Sequence, residues 1–279
     1  MARILAVSSY VACGHVGLAA IVPALQAFGH EVVAVPTVVL SNHYGHAHVG
    51  GSPVETDRLS SMLKALAANR MLDRIDAVIT GFLPSAGAVA VIADALESIG
   101  TANAGLPYLC DPVLGDDPGG LYVSEDAAAA IHDRLVPLAS IVTPNRFELE
   151  WLTGLPVATA QEADAASSAI GADMVAATSI PAGEDMIANV LSTKREAQAF
   201  ASPRLAGVPH GTGDLFAALL LGHRLNGAPC SQAVARASAG VETVIAGSLG
   251  APELRLVESL ARAVACAPAA ARPVRRSPD

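Results

Sequence analysis

Lysine is scarce in this chain of 279 residues, which has only two lysines, Lys64 and Lys194, and a formal net charge of −9. Binding to nucleic acid depends on clustered lysine and arginine side chains that neutralise phosphates. We therefore expect no nucleic-acid partner. The stretch 272–279 is locally basic. We interpret residues 269–279 as a flexible C-terminal tail, with a functional basic tail as the alternative.

Two common kinds of site are also missing. The four cysteines (Cys13, Cys110, Cys230 and Cys266) lie far apart, and no two of them form a CxxC pair. This spacing predicts reduced thiols and a cytoplasmic location, with neither a disulfide framework nor a cysteine zinc site. The phosphate-binding motif GxxxxGK[ST] is absent as well, so Walker-type and protein-kinase geometries are disfavoured.

Charge is missing altogether from residues 4–30, and a run of that length permits a membrane span. Ser8, Ser9 and Pro23 interrupt it, so we interpret it as a buried strand, a loop and a helix and expect no membrane association. The overall composition, 52% hydrophobic and 15% charged, is typical of a globular protein. Because no linker or internal repeat is visible, residues 1–268 are predicted to form one domain.

Apolar runs alternate with amphipathic stretches along the chain. Strands are predicted at 4–9, 31–36, 76–81, 107–113, 140–145 and 172–179, with a hairpin at 185–201. Helices are predicted at 16–29, 55–70, 87–100, 124–139, 146–154, 214–227, 231–247 and 252–265. Strands separated by helices indicate a three-layer α/β/α fold with a mostly parallel sheet. Such sheets bind ligands at the carboxyl ends of their strands.

Residues 209–222 read PHGTGDLFAALLLG and place one carboxylate, Asp214, at the start of an uncharged run. The pattern predicts a helix whose first backbone N–H groups form an anion-binding nest, and Gly211 and Gly213 would let a phosphoryl group approach closely. Asp214 is then placed to accept a proton from a substrate hydroxyl. The positive helix end should favour its ionised form and make it a weak base. The alternative is that Asp214 only caps the helix.

Two further carboxylate motifs follow predicted strands. Asp111 closes one strand, and Asp116 lies five residues further on. Such oxygen ligands suit hard cations, although aspartate and proline also populate ordinary turns. In TPNRFE, Asn145 and Glu148 are three residues apart. They are spaced either to orient metal-bound waters near phosphates or to cap an ordinary helix start.

The loop 41–53, SNHYGHAHVGGSP, contains His43, His46 and His48. A metal site is one interpretation of this composition, but the loop itself holds no carboxylate or cysteine to complete one. We therefore favour a mobile lid over a pocket.

With these motifs placed, the chain resembles the pyridoxal kinases of the ribokinase-like superfamily over nearly its whole length. The resemblance rests on SNH at 41–43, CDPVLGD at 110–116, LYVSED at 121–126, TPNRFELE at 143–150 and GTGDLFAALLL at 211–221. It implies a homodimer that moves the γ-phosphate of ATP to the 5′-hydroxymethyl group of pyridoxal. Pyridoxine and pyridoxamine are further candidate substrates, and Mg²⁺, often with K⁺, would assist.

The resemblance also implies a role for each motif residue. Asp214 would be the base, and the amides of Gly211, Thr212 and Gly213 would form the anion hole. The residues implied in binding are Asp111, Asp116 and Glu148 for metal; Asp111, Thr143, Asn145, Glu148, Thr178 and Ser179 for ATP; and Ser9, Val16, His43, Tyr44 and Phe82 for the pyridoxal substrate.

Three positions depart from the family pattern. Tyr44 stands where a threonine that touches the substrate is usual, Phe82 stands where a tyrosine is common, and Tyr10 replaces a histidine. These changes leave open a kinase for hydroxymethylpyrimidine, another hydroxymethyl heterocycle or a sugar. A non-catalytic carrier of pyridoxal or nucleotide is a rival of another class, and the intact GTGD motif argues against it.

Overall fold

The structure, a computed structural model, describes residues 1–102 and 105–276. Its strands are β1 (Arg3–Val11), β2 (Glu31–Leu40), β3 (Gly51–Pro53), β4 (Ala77–Thr80), β5 (Tyr108–Cys110), β6 (Gly115–Asp116), β7 (Gly120–Leu121), β8 (Ile141–Val142), β9 (Met174–Pro181), β10 (Met186–Thr193), β11 (Ala197–Pro203) and β12 (Arg272–Pro273). Its α-helices are α1 (Leu18–Ala27), α2 (Thr56–Ala68), α3 (Ala86–Ala102), α4 (Glu125–Ala130), α5 (Arg146–Thr153), α6 (Ala160–Ile170), α7 (Thr212–Leu225), α8 (Cys230–Ser248) and α9 (Leu256–Val264).

One large sheet organises the fold. Within the described residues its ten strands follow the order β12-β11-β10-β9-β8-β5-β4-β1-β2-β3. The strands from β9 to β2 in this order pair in parallel, and the pairs at both edges are antiparallel. Parallel neighbours need long crossovers, which the helices supply. The predicted three-layer α/β/α fold is confirmed.

Strand β1 shows how the two faces of the sheet are buried. Ile4 and Ala6 belong to the core beneath α1, α7 and α8, whereas Leu5 and Val7 belong to the core beneath α2, α3 and α4. A strand covered on both faces reads as an unbroken apolar run, which explains the missing charge in residues 4–30. Among the helices of the described ranges, none combines the length and the apolarity that crossing a membrane requires.

Helix α7 is held between the sheet and the outer helices. Every residue from Leu215 to His223 is buried, so the helix is apolar all round rather than on one stripe. Gly222 permits the closest contact, because a β-carbon there would lie 2.3 Å from the ring of Phe28. The packing fixes both the position and the direction of the helix, and therefore of its first turn.

The predicted helix over 124–139 is less regular than its pattern suggested. Helix α4 passes into a π-helical turn over Ile131–Leu135 and then a 3₁₀ turn over Val136–Leu138. Pro137 stands at the start of that last turn, where a missing backbone N–H is tolerated.

Helix α6 was not predicted, although the sequence contains its signals. Thr159 caps it by accepting the N–H of Glu162 at 3.2 Å, and Gly171 ends it in the left-handed conformation. A threonine followed three residues later by glutamate, with a later glycine, is a recognisable pair of helix boundaries.

The described part of the C-terminal segment makes contacts that the expectation of a flexible tail did not include. Strand β12 pairs with β11, and Val274 is 9% exposed. Arg276 donates to both carboxylate oxygens of Asp164, at 2.8 and 2.9 Å. Residues 277–279, the end of the predicted tail, lie outside the described residues.

Arg276→Ala should lower the thermal unfolding temperature, because it leaves the carboxylate of Asp164, 7% exposed, without this partner. An unsatisfied buried acceptor costs roughly 1–3 kcal/mol, and about 2–4 °C of Tm accompanies each kcal/mol at this size. Scanning calorimetry measures the change, with the exposed neighbour Arg275→Ala as the matched control. Equal Tm values for the two variants would contradict the importance of the contact.

Candidate active site

The predicted site residues gather at the carboxyl edge of the parallel strands. Ser9 lies near the end of β1, Asp111 directly follows β5, Thr143 directly follows β8, and Thr178 lies in the second half of β9. This edge is where open α/β sheets bind their ligands.

The GTGD turn begins helix α7 as predicted. Gly211 is the N-cap residue and has φ 100°, in the left-handed region. A β-carbon at Gly211 would also lie 2.0 Å from the carbonyl oxygen of His15, so this position needs glycine both for its conformation and for a close approach. Gly213 is exposed, and a β-carbon there would meet nothing within 4 Å. The first turn of α7 therefore presents open backbone to an incoming anion.

Asp214 lies in the first turn of α7. Burial of the carboxyl group raises its pKa to about 6, while the nearby backbone N–H groups of Gly17 and of Asp214 itself lower it. The sequence analysis expected the positive helix end to favour the ionised form and make a weak base. That expectation was wrong in direction, because desolvation outweighs the N–H donors here.

Residues that the sequence analysis did not single out complete the surroundings of Asp214. A β-carbon on Gly81 would lie 3.7 Å from Asp214 Oδ1 and 2.5 Å from Ser8 Oγ. A β-carbon on Gly17, whose φ is 55°, would lie 2.4 Å from Ser9 Oγ. No local sequence signal announces these contacts, which arise only when β1, β4 and α7 pack together.

Asp111 is a buried carboxylate on the floor of the cleft. It is 7% exposed and accepts the hydroxyl of Thr143 at 3.0 Å. Burial raises its pKa well above the usual range, and the negative charges of Glu148 and Asp214 raise it further. In this acidic group, Asp111 therefore lies close enough to Glu148 and Asp214 for their charges to affect its ionisation.

Glu148 has a structural role that the sequence left open. It forms a capping box with Asn145: the N–H of Glu148 donates to Asn145 Oδ1 at 3.0 Å, and the N–H of Asn145 donates to Glu148 Oε2 at 2.8 Å. Its other oxygen accepts the N–H of Leu114 at 2.8 Å. Burial nevertheless raises its pKa to about 7, against the lowering by these N–H donors, and the charge of Asp116 also raises it.

The predicted nucleotide residues lie on one side of this acidic group. Asn145 forms a bridge with Thr178 and donates through Nδ2 to the carbonyl of Gly115 at 2.7 Å. Next to Thr178, the exposed Ser179 has φ 61°. Val113 has φ 46°, which is a genuine outlier for a β-branched residue. Backbone in such sparsely populated conformations concentrates at ligand sites.

An apolar cluster lies on the other side, at the base of the loop 41–53. Its buried members are Val11, Val38 and Leu40, and Val16 and Phe82 pack against them. The structure thus brings together two of the five residues assigned to the substrate. The N–H of Phe82 also donates to Ser8 Oγ at 3.1 Å, beside the Asp214 site.

His43 and Tyr44, the two residues of the loop 41–53 that were assigned to the substrate, differ in their exposure to solvent. His43 has an 11% exposed side chain, and its ring centroid lies 4.6 Å from that of His210, the residue before Gly211, at an interplanar angle of 47°. Tyr44 is 67% exposed. His43 therefore brings the loop beside the start of helix α7, while Tyr44 faces solvent.

Comparison with known proteins agrees with this geometry. The sequence model of the phosphomethylpyrimidine kinase family matches residues 13–254. The pyridoxal kinase of Corynebacterium diphtheriae is 35% identical over 265 residues, covering 92% of this chain and 94% of that protein. The human pyridoxal kinase is 36% identical over 240 residues, covering 78% of this chain and 76% of that protein.

Solved structures give the same result. The pyridoxal kinase of Entamoeba histolytica superposes with a TM-score of 0.92 at 28% identity, covering 98% of this chain and 99% of that one. The pyridoxal kinase of Leishmania donovani in complex with ADP and pyridoxamine superposes with a TM-score of 0.92 at 26% identity, covering 99% and 100%. With its GTGD turn, its acidic group and these relatives, the chain belongs to the pyridoxal kinase family of the ribokinase-like superfamily.

Proposed function

We propose that this protein transfers the γ-phosphoryl group of ATP to the 5′-hydroxymethyl group of pyridoxal, and also to that of pyridoxine and pyridoxamine. The observation that carries the proposal is the placement of Asp214, a desolvated carboxylate inside an open helix start that binds anions. The relatives that are named pyridoxal kinases, and the one holding ADP with pyridoxamine, support this choice of substrates.

Asp214 acts as the base in this proposal. With a pKa of about 6 it is ionised at neutral pH yet more basic than an ordinary aspartate. It takes the proton of the substrate hydroxyl as that oxygen bonds to the γ-phosphorus and the bond from phosphorus to ADP breaks. The amides of Gly211, Thr212 and Gly213 stabilise the charge on the transferring group.

A magnesium ion fits the acidic group beside Asp214. The charges of Glu148 and Asp214 raise the pKa of the buried carboxyl group of Asp111, and a hard cation bound by oxygen would relieve this cost of ionisation. Asp111 and Asp116 would hold the ion. Glu148 would act through its charge or a water, because both of its oxygens already accept backbone N–H groups. When bound, the ion would neutralise phosphate charge.

The remaining assignments divide between the two substrates. We assign Thr143, Asn145, Thr178 and Ser179, with Asp111 and Glu148, to the ATP side. Ser9, Val16, His43, Tyr44 and Phe82 are assigned to the pyridoxal side. The apolar cluster that includes Val16 and Phe82 supports a flat heteroaromatic ring there.

Four wider features belong to the same proposal. Residues 1–268 act as one kinase domain, which the continuous sheet supports. The protein works as a homodimer in the cytoplasm, and its four unpaired cysteines support that compartment. K⁺ assists the reaction, as the family resemblance implies.

A second candidate is a kinase of hydroxymethylpyrimidine. The match to the phosphomethylpyrimidine kinase model favours it, as do the altered residues Tyr44 and Phe82. The non-catalytic carrier has no comparable support, because the GTGD turn keeps its geometry.

Asp214→Asn should reduce kcat by roughly two to four orders of magnitude, because it removes the proton acceptor. The variant should also be more stable than wild type at pH 7.5. The folded pKa of about 6 exceeds the ordinary 3.8, so ionisation destabilises the folded protein as the pH rises through that window. Asparagine avoids this cost, and the Tm difference should shrink toward pH 4. Unchanged turnover would remove Asp214 from the mechanism.

The pH dependence of kcat should follow the ionisation of Asp214. Because the base must be deprotonated, kcat should fall about tenfold per pH unit below the pKa of about 6. Steady-state rates across this range measure the profile, and circular dichroism at each pH controls for unfolding. A rate that stays constant down to pH 4.5 would contradict the assignment.

The acceptor is decided by comparing kcat/KM for pyridoxal, pyridoxine, pyridoxamine and hydroxymethylpyrimidine at saturating ATP. We expect the three vitamers to be the better substrates, since the pyridoxal kinases named above are similar to this chain over most of its length. A higher value for the pyrimidine would overturn the lead function in favour of the second candidate, while leaving the phosphoryl-transfer chemistry intact.

A further inference from the structure

A cluster of imidazole and carboxylate groups lies where the loop 41–53 meets the segment between α8 and α9. His46 Nε2 lies 2.7 Å from Glu253 Oε1, and His43 Nε2 lies 3.2 Å from the same oxygen. One ligand atom from each of the three residues lies within 4.8 Å of the others. Glu253 is 207 residues away from His46 in sequence, so it supplies the carboxylate that the loop lacks.

Two atoms of this cluster have no hydrogen-bond partner. Glu253 Oε2 is buried and has no hydrogen-bond partner, and the buried His43 Nε2 lies 3.2 Å from Glu253 Oε1 without the geometry of a hydrogen bond. Unsatisfied buried polar atoms cost stability and are uncommon in folded proteins. Because the two atoms lie close together, we infer that a shared binding partner is missing. That partner must be positively charged to suit the carboxylate, and it must accept electron pairs from imidazole nitrogens.

Glycines make room for the cluster. A β-carbon on Gly14, whose φ is 101°, would lie 2.5 Å from Glu253 Oε2. A β-carbon on Gly45 would lie 2.8 Å from the ring of His43 and 2.9 Å from Nε2 of His210. The rings of His43 and His46 are 4.5 Å apart, and His210 is the nearest further imidazole. Four separate segments therefore converge on this point.

We propose that His43, His46 and Glu253 form a binding site for a divalent transition-metal ion of the zinc class. Two imidazole nitrogens and one carboxylate oxygen are typical zinc ligands, with a fourth position left for water or another imidazole. Ligand atoms about 2.0–2.1 Å from a tetrahedral zinc lie roughly 3.3 Å apart, close to the distance from His43 to Glu253. Magnesium, which prefers oxygen ligands, is expected to avoid the site.

Binding moves protons in a defined way. His43 Nδ1 accepts the N–H of Gly45 at 3.1 Å, so in the neutral ring the proton is on Nε2. When Nε2 coordinates a metal ion, that proton must move to Nδ1. The hydrogen bond from the N–H of Gly45 to Nδ1 then breaks, and the N–H of this exposed residue can bond to water instead. The occupied site would hold the loop 41–53 against Glu253 and next to the phosphate-binding turn.

The test is zinc titration of the metal-freed, full-length protein by competition with a chromophoric chelator. Excess Mg²⁺ is present, and no nucleotide or pyridoxal is added. We expect one tight site in wild type that His46→Gln or Glu253→Gln weakens by more than about tenfold. His48→Gln, an exposed histidine of the same loop, is the matched control and should bind as wild type does. The visible spectrum of the Co²⁺ form should change with the same two variants.

Equal zinc affinity in wild type, His46→Gln and Glu253→Gln would overturn the proposal, since any site would then lie elsewhere, for example at a cysteine. Absence of a tight site in wild type would overturn it as well. If Glu253→Gln does not fold, His46→Gln decides alone, because its side chain is 38% exposed and its loss is tolerable. The outcome is independent of the proposed function, because no phosphoryl transfer is measured.

Discussion

The close approach of helix α7 to the loop between β1 and α1 is the contact on which the site depends. Gly211 lies against the carbonyl of His15, and the backbone N–H of Gly17 lies near enough to Asp214 to lower its pKa. Neither contact survives a shift of α7, and the buried run from Leu215 to His223 prevents that shift. The apolar helix therefore acts as the anchor that places a carboxylate and a set of backbone amides with the accuracy that phosphoryl transfer needs.

Burial at this contact also sets the chemistry. Asp111, Glu148 and Asp214 share one desolvated region, and each is harder to ionise there than in water. The same desolvation makes Asp214 a stronger base and makes the group a place where a cation is favourable. The desolvated carboxylates lower the stability of the folded protein, and the apolar cores on the two faces of the sheet compensate for this loss. Such an arrangement is common for catalytic residues.

Local patterns predicted much of this and long-range packing decided the rest. The alternation of strands and helices, the GTGD turn and the spacing of Asn145 and Glu148 are all local, and they led to the fold and most candidate residues. Helix α6 also carries local signals, in its N-cap Thr159 and its terminal Gly171. The raised pKa of Asp214 and the pairing of Glu253 with His46 depend on elements distant in sequence, and no local pattern contains them.

Packing of α7 against β1 and its loop buries the carboxyl group of Asp214 and thereby gives it an unusually high pKa. Difference infrared spectroscopy of wild type against Asp214→Asn, across a pH titration of the metal-free protein, isolates the carboxylate band of this one residue. We expect the carboxyl group of Asp214 to ionise with a midpoint near pH 6. A midpoint near the ordinary 3.8 would contradict it, because the helix end and its N–H donors would then outweigh burial.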